Sequence, residues 1–335
     1  MPRRLLWYAP GGGLGHVTRA VAILRHLRPH LHEVEPLLVV TSPHLHGPLL
    51  QGIPTLRLPS RFEWQAFGDG AGDLARAFQG LFAALGPWAL LVVDSFADGL
   101  AGELTPDLLA QVPRRALIYR LGATDPRQSP GWSLYQSILA PYPSHPCPGA
   151  EAVGYVLLRS PREVLSPPRA RRQLGVDDQR PLILALHAGD PGEVASLFTL
   201  VSRAFDALGE RGHLRLLTPL PTTEGHRPQQ LYYYPAVEVL PGADLVVAAA
   251  GYNSVAEVGA LGKRALLCPF TRSHDDQRLR ATGAEVFDLT EDPHVLAERM
   301  AAALAKPSPP ALALGACDGA KQAAQRLRTL LTEDP

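Results

Sequence analysis

Cysteine is scarce in this chain: Cys147, Cys268 and Cys317 are far apart and show no C-x-x-C spacing. They point neither to a disulfide framework nor to a thiolate zinc site. Lysine is as scarce. Lys263, Lys306 and Lys321 are the only three, so arginine supplies nearly all of the 32 basic residues, and 32 acidic residues balance them to a formal charge of zero. With no global field there is no general pull on nucleic acid or on an anionic membrane, although a local basic patch stays open. Long apolar runs are missing too. Leu81 to Val93 is broken by Gly86 and Pro87, short of the ~20 residues that span a bilayer. Leu5 to Ala9 stops at Pro10 and is too short for a signal-peptide core. The expectation is a cytoplasmic protein with no nucleic-acid partner. Nothing indicates membrane contact, and peripheral contact stays open.

The 335 residues are enough for two domains of about 150 residues, each with its own core. Leu5–Ala9, Leu37–Thr41, Ile53–Leu58 and Ala89–Val93, the last followed by Asp94, are strand-length apolar runs. Val17, Val21, Leu24, Leu27 and Leu31 recur at helical spacing between the first two. The alternation resumes with Leu182–Leu186, a helix over Glu193–Leu208, and strands over Leu214–Leu217, Val237–Leu240, Leu245–Ala250 and Arg264–Cys268. Helices near Val295–Leu304 and Lys321–Leu331 follow. Alternating strands and helices predict doubly wound parallel sheets. The proline-rich stretch Pro141–Pro168 is the expected inter-domain crossing. Pro59–Asp73, with Phe62, Trp64 and Phe67, reads as a surface loop with aromatic anchors or as a satellite core cluster.

Two stretches carry chemistry. Gly11-Gly12-Gly13-Leu14-Gly15-His16 follows the first strand. His16 stands where a dinucleotide fingerprint has its last glycine, and the second strand ends without the ribose-binding acid, which argues against that motif. A turn of this kind at Gly12, Gly13 and Gly15 lets a ligand approach the backbone. His16 sits near a helix start and three residues before Arg19, and both disfavour imidazolium, so a neutral ring able to accept a proton is expected. Packing of the turn is the other reading. Asp94 at a strand's carboxyl end could accept a proton, hold an acceptor hydroxyl or cap a helix.

The second stretch runs from Ala248 to Gln277. Gly251 permits a turn, Asn253 or Ser254 can cap the helix that follows, and Asp276 and Gln277 stand at the start of another. Ser254-x-x-Glu257 also reads as a capping box. Asp276 and Gln277 could receive sugar hydroxyls or cap their helix. His26, His30 and His32 read as a solvated surface.

In order and spacing Gly251, Ser254, Glu257, Pro269, Asp276 and Gln277 resemble the donor half of GT-B glycosyltransferases, most closely family 28, and Gly11 to His16 resembles that family's glycine-rich turn. The resemblance implies two Rossmann-like parallel-sheet domains facing a cleft, divided at 1–160 and 161–315, with residues 316–335 returning as a helix to the first. It implies direct, inverting, metal-independent transfer from a nucleotide-sugar, a UDP-sugar, to an acceptor of unassigned class: glycan, lipid or small molecule. The nucleotide-sugar is a co-substrate, and no cofactor or metal is expected. By the same resemblance His16 is the base, Glu257 receives the ribose hydroxyls, and Arg159 meets the donor phosphate. The family's loop after the first strand of the second domain also contacts the diphosphate; here Asp190 would repel that anion, so it is expected to turn away and cap a helix at Pro191, leaving the Gly189 backbone to meet the phosphates. A nucleotide-sugar 2-epimerase and a non-catalytic nucleotide-sugar-binding protein remain as alternatives.

Overall fold

A computed structural model of the chain describes residues 3–333 apart from 45–46, 51, 67, 121, 123–125, 144–146, 210, 220–228 and 273. The chain forms two compact units, Met1–Leu158 with Asp318–Pro335 and Arg159–Cys317. The division at Leu158 falls inside the proline-rich stretch.

In the first unit seven strands are all parallel: β1 (Arg3–Ala9), β2 (Val34–Val40), β3 (Thr55–Arg57), β4 (Trp88–Asp94), β5 (Arg115–Ile118), β6 (Ser137–Ala140) and β7 (Glu151–Ala152). Their order is β3-β2-β1-β4-β5-β6-β7. The helices are α1 (Leu14–Leu27), α2 (Gly47–Leu50), α3 (Arg61–Gln65), α4 (Ala71–Leu85) and α5 (Pro106–Ala110). β1 and β4 are buried over most of their length. Both faces are covered, so their sequences read as continuous apolar runs rather than alternating ones. Leu6, Tyr8, Leu91 and Val93 pack against Phe78 and Phe82 of α4 on one face.

In the second unit six parallel strands follow: β8 (Leu182–Leu186), β9 (His213–Thr218), β10 (Gln230–Tyr232), β11 (Leu245–Ala249), β12 (Ala265–Cys268) and β13 (Glu285–Val286). Their order is β10-β9-β8-β11-β12-β13. Its helices are α6 (Pro167–Gln173), α7 (Pro191–Ala207), α8 (Tyr252–Ala260), α9 (Gln277–Arg280), α10 (Pro293–Ala305) and α11 (Leu314–Cys317). The two-residue strand period sorts the core. Ile183, Ala185, Leu245 and Val247 face α7 and α10, while Leu182, Leu184, Val246 and Ala248 face α6 and α8. The last helix, α12 (Gly319–Thr332), buries Ala320, Ala323, Ala324 and Leu327 and packs on α1 of the first unit. A side chain at Gly319 would strike the Gly154 carbonyl, so glycine is what lets the helix start against that strand end.

Three expectations need correction. Val237–Leu240 is not a strand but two short 3-10 turns, Ala236–Glu238 and Leu240–Gly242, because Pro235 and Pro241 interrupt any ladder there. The 59–73 segment is not simply a loop. It contains α3, closed by a capping box in which Ser60 accepts from Glu63 N and Glu63 accepts from Ser60 N. Phe67 and the side chain of Phe62 lie outside the described residues. Leu31 lies beyond α1, which ends at Leu27 and passes into a 3-10 turn at Pro29. Among the described residues no helix is long and apolar enough to cross a membrane.

Candidate active site

Each sheet reverses its strand order once, between β1 and β4 and between β8 and β11. Ligands of such sheets sit beyond the carboxyl ends of the strands at that reversal. His16, Asp94, Gly189 and Gly251 follow the strands at these two places, whereas Asp276 and Gln277 follow β12 and Arg159 precedes β8.

In the first unit β1 ends at Ala9, and Gly11 adopts φ +146°. The Gly11 N–H donates to Thr41 Oγ1 at 2.8 Å, pinning the turn to the end of β2. A side chain here would bring its Cβ within 2.5 Å of the His16 ring, so His16 occupies the space the glycine leaves. Gly12 and Gly13 are exposed and have nothing within 4 Å of where a Cβ would stand, and Gly15 meets only Arg19 at 4.0 Å. Gly13 begins α1 with no side-chain cap and no acid in the first turn. The leading N–H groups of α1 therefore lack a side-chain acceptor.

His16 is the third residue of α1. Its Nδ1 lies 2.6 Å from Asp94 Oδ1, and the ring stacks on Phe96 with centroids 5.7 Å apart. Asp94 is fully buried at the end of β4. It accepts from Arg19 Nη2 at 2.6 Å, Arg19 Nε at 3.0 Å and Ser95 Oγ at 2.8 Å. Arg19, 1% exposed, is the cation that makes burial of this carboxylate tolerable. Burial pushes the Asp94 carboxyl up, but Arg19 and then His16 outweigh it and hold the group far below the usual carboxylate range. Burial is also the largest influence on His16. Asp94 opposes it, Arg19 and Arg120 reinforce it, and the imidazole ends below its ordinary 6.5. Arg19 Nη2 also lies 3.2 Å from Nδ1, but the closer approach of the ionised Asp94 favours the tautomer with its proton on Nδ1, which leaves Nε2 as a proton acceptor. The expectation of a neutral His16 holds, with desolvation rather than the nearby cation as the main cause. The proposed roles of Asp94 change. It caps no helix, since the next one begins at Pro106, and a fully buried, low-pKa carboxylate neither takes a proton nor reaches an acceptor hydroxyl. It orients His16.

In the second unit α8 starts one turn earlier than expected. Gly251, in extended conformation, is the N-cap without a side-chain hydrogen bond. Asn253 and Ser254 lie inside the first turn and cap nothing, and the Ser254–Glu257 capping box does not form. Asn253 and Glu257, four residues apart, share a face of the helix. The Asn253 Oδ1 is buried without a hydrogen-bond partner among the described residues. Glu257 likewise receives no hydrogen bond among the described residues, and burial alone pushes its carboxyl up to about 8. Two acceptors without donors on one helix face form a receptive pair for ligand hydroxyls.

Asp276 is the N-cap of α9, where Oδ1 accepts from Leu279 N at 2.8 Å. Gln277 is 7% exposed, and its Oε1 receives the Phe270 N–H at 3.0 Å, fixing the loop after β12. Its neighbour Asp275, passed over in the sequence, forms a buried ion pair with Arg280, which also donates to Ala250 O at 3.2 Å. Asp190 caps α7 by accepting from Gly192 N at 2.8 Å, with Pro191 at the first helical position, as expected. Gly189 is packed, since a Cβ there would meet the His187 ring at 2.6 Å and Glu193 Oε2 at 2.7 Å. Arg159 pairs with Glu238 at 2.7 Å.

Sequence reasoning missed one cluster. Arg272 grips Glu193 with both terminal nitrogens, at 2.5 and 2.6 Å, and its guanidinium carbon lies 5.3 Å from the Phe270 ring centre. The His187 ring stacks on Phe270 with centroids 4.8 Å apart and has Nε2 3.2 Å from Glu193 Oε2. The cluster ties the β8–α7 loop to the β12–α9 loop. His187 and Arg272 are 85 residues apart, so no local signal joins them. His26, His30 and His32 are exposed.

Residues 220–306 match the glycosyltransferase family 28 C-terminal domain. Over most of its length the chain is similar to the UDP-N-acetylglucosamine–N-acetylmuramyl-(pentapeptide) pyrophosphoryl-undecaprenol N-acetylglucosamine transferase of Mycolicibacterium paratuberculosis, at 28% identity over 89% of this chain and 80% of that protein. The fold resembles CalG4, the calicheamicin glycosyltransferase, with TM-score 0.66, 15% identity and full coverage of both chains. It also resembles MurG of Acinetobacter baumannii, with TM-score 0.59, 17% identity, and coverage of 98% of this chain and 99% of that one.

Proposed function

Taking the chain as a family 28-like glycosyltransferase of GT-B fold, we propose that it moves a sugar from a UDP-sugar to an acceptor hydroxyl by direct, inverting, metal-independent transfer. The observation that carries this reading is the buried Arg19–Asp94–His16 chain, which leaves a neutral imidazole with Nε2 as its proton acceptor. In the step, the acceptor oxygen bonds to the anomeric carbon while the bond from that carbon to the diphosphate oxygen breaks. The hydroxyl proton passes to His16 Nε2, and the electron pair leaves with the nucleoside diphosphate. Asp94 stabilises the imidazolium that forms, and Arg19 keeps Asp94 ionised so that it can do so.

On the donor side Glu257 and the Asn253 carbonyl receive the ribose hydroxyls. The open backbone at Gly251 and the α7 start at Gly189 are assigned to the diphosphate, with Arg159 as a cation held in place by Glu238. Asp276 Oδ2 and the Gln277 amide nitrogen, which make no hydrogen bond among the described residues, are assigned to sugar hydroxyls. The exposed backbone at Gly12 and Gly13 is assigned to the acceptor. The family match of the second unit to a transferase domain, together with a base in the first, favours transfer over 2-epimerisation.

The test is a thermal-shift screen of nucleotides and nucleotide-sugars, followed by assay of nucleoside diphosphate release with and without EDTA. UDP-sugars should stabilise the protein and release UDP in EDTA as fast as in magnesium. Stabilisation by no nucleotide, or activity that disappears with EDTA and returns with a divalent metal, would overturn the proposal.

A further inference from the structure

The chain leaves β4 through an unusual turn. Ser95 is the one non-glycine residue with positive φ among those described, at +73°. Its own N–H still completes the sheet by donating to Ile118 O at 2.9 Å, while Phe96 N donates back to Asp94 O at 3.0 Å. A hydrogen bond from residue i+2 to residue i across a central φ near +75° is the rare, strained form of the γ-turn. Serine has no intrinsic liking for that region, and strain of this sort persists where the surroundings hold it and often marks a functional site.

All three residues of the turn bear on His16. Asp94 takes its Nδ1 at 2.6 Å. Phe96 stacks on the ring. Between them, the Ser95 hydroxyl donates to Asp94 Oδ1 at 2.8 Å, the oxygen that also faces His16, and lies 3.3 Å from Arg19 Nη2. A relaxed chain leaving β4 would carry the hydroxyl or the phenyl ring away from these contacts. The loop beyond is anchored by two carboxylates. Glu103, fully buried, receives the Tyr8 hydroxyl and the N–H groups of Leu100 and Ala101, and Asp98 receives Ser129 Oγ and Gly131 N. These anchors fix the segment that the γ-turn launches.

We propose that Ser95 is a positioning residue for transfer, held in a strained γ-turn so that its hydroxyl shares the Asp94 oxygen facing His16 and its neighbour Phe96 covers the imidazole. The proposal rests on the reading of His16 as the base. The charges around the ring are Asp94, Arg19 and Arg120, and the hydroxyl acts by dispersing the first of them. Without that hydroxyl, Asp94 Oδ1 concentrates more negative charge beside Nδ1 and favours imidazolium, so the His16 titration should move up.

The experiment compares Ser95→Gly with Ser95→Ala in the full chain. Both lose the hydroxyl, but only glycine relaxes the turn. NMR titration of His16 should move upward by about 0.5 unit in both, a fraction of the worth of the lost hydrogen bond to ionised Asp94, because His16 feels that loss only through the carboxylate. In both, kcat should fall about three- to thirtyfold with the acceptor KM within twofold. Ser95→Gly should nevertheless unfold at a higher temperature than Ser95→Ala. An unmoved His16 titration with wild-type kcat in both variants overturns the proposal. A shifted titration with unchanged kcat, where His16→Ala is also fully active, supports the coupling of Ser95 to His16 and instead removes the base role on which the functional reading stands.

Discussion

The His16 Nδ1 and Asp94 Oδ1 atoms lie 2.6 Å apart across 78 residues of sequence, joining the start of α1 to the end of β4. Since β1 and β4 are neighbours in the sheet, the contact follows from the strand order rather than from any local motif. The carboxylate is already held by Arg19, one turn further along α1. A single helix therefore presents both the base and the cation that keeps its partner ionised.

His16→Ala should lower kcat by about 10²–10⁴, the usual range for loss of a general base, and leave UDP-sugar affinity within twofold. Because burial lowers the His16 pKa, the neutral, proton-accepting form persists below pH 6.5. Activity is lost only as pH falls through the lowered value, so the acidic limb of kcat/KM should lie below 6.5. A limb at or above 7, or turnover by His16→Ala at saturating acceptor, would contradict the assignment.

Gly11→Ala places a methyl within 2.5 Å of the His16 ring at a backbone φ of +146°. Either the ring or the turn must move. The expected outcome is a kcat lower by at least tenfold and a destabilisation of about 1–3 kcal/mol from the strained backbone, measured by turnover and by denaturant unfolding of the same preparation. Wild-type kcat in a folded Gly11→Ala would show that the ring position does not matter.

The doubly wound sheets could be read from the sequence because their strands are buried on both faces. β8 matches its expected span, β11 is one residue shorter than expected, and β4 is one residue longer at each end. The glycine turn and His16 were legible for the same reason, since Gly11 to Gly15 stands directly after a strand. Other features were not. Strands β5, β6, β7, β10 and β13 were not expected, and each is two to four residues long, too short to show a period. Asn253, Ser254 and Glu257 fitted a cap and a capping box, yet the helix begins at Tyr252 because Gly251 takes the extended cap conformation. Propensity marks helix starts only to within a turn. The Arg272–Glu193–His187 cluster and the Asp94–Arg19 pair depend on which strands become neighbours, and no window of sequence contains that information.

Asp190→Ala should remove the hydrogen bond to Gly192 N and destabilise the protein by about 1 kcal/mol, the typical worth of an N-cap. UDP-sugar affinity should stay within a few-fold, because the carboxylate is turned to the helix. Chemical denaturation and calorimetric titration of the same variant check both halves. Tenfold tighter binding without loss of stability would mean that the carboxylate faces the diphosphate.

Glu257 offers a test in which binding and stability move in opposite directions. Its carboxyl is pushed up to about 8 by burial, while in the unfolded chain it titrates near 4.5. Between those values the folded state holds a proton that the unfolded state has released, so the stability this group contributes is fully present below 4.5 and is lost as pH rises toward 8. Glu257→Gln has nothing to ionise and should unfold at a higher temperature than the wild type at pH 7.5. Ribose hydroxyls are donors, and they favour the ionised carboxylate. UDP binding to the wild type should therefore release a proton and tighten as pH rises toward 8, whereas binding to Glu257→Gln should be weaker by about tenfold or more and independent of pH over that range. Calorimetric titration at pH 7.5 in buffers of different ionisation enthalpy reads the proton directly. If UDP binds with no proton release and Glu257→Gln binds it as well as the wild type does, the carboxyl does not receive the ribose.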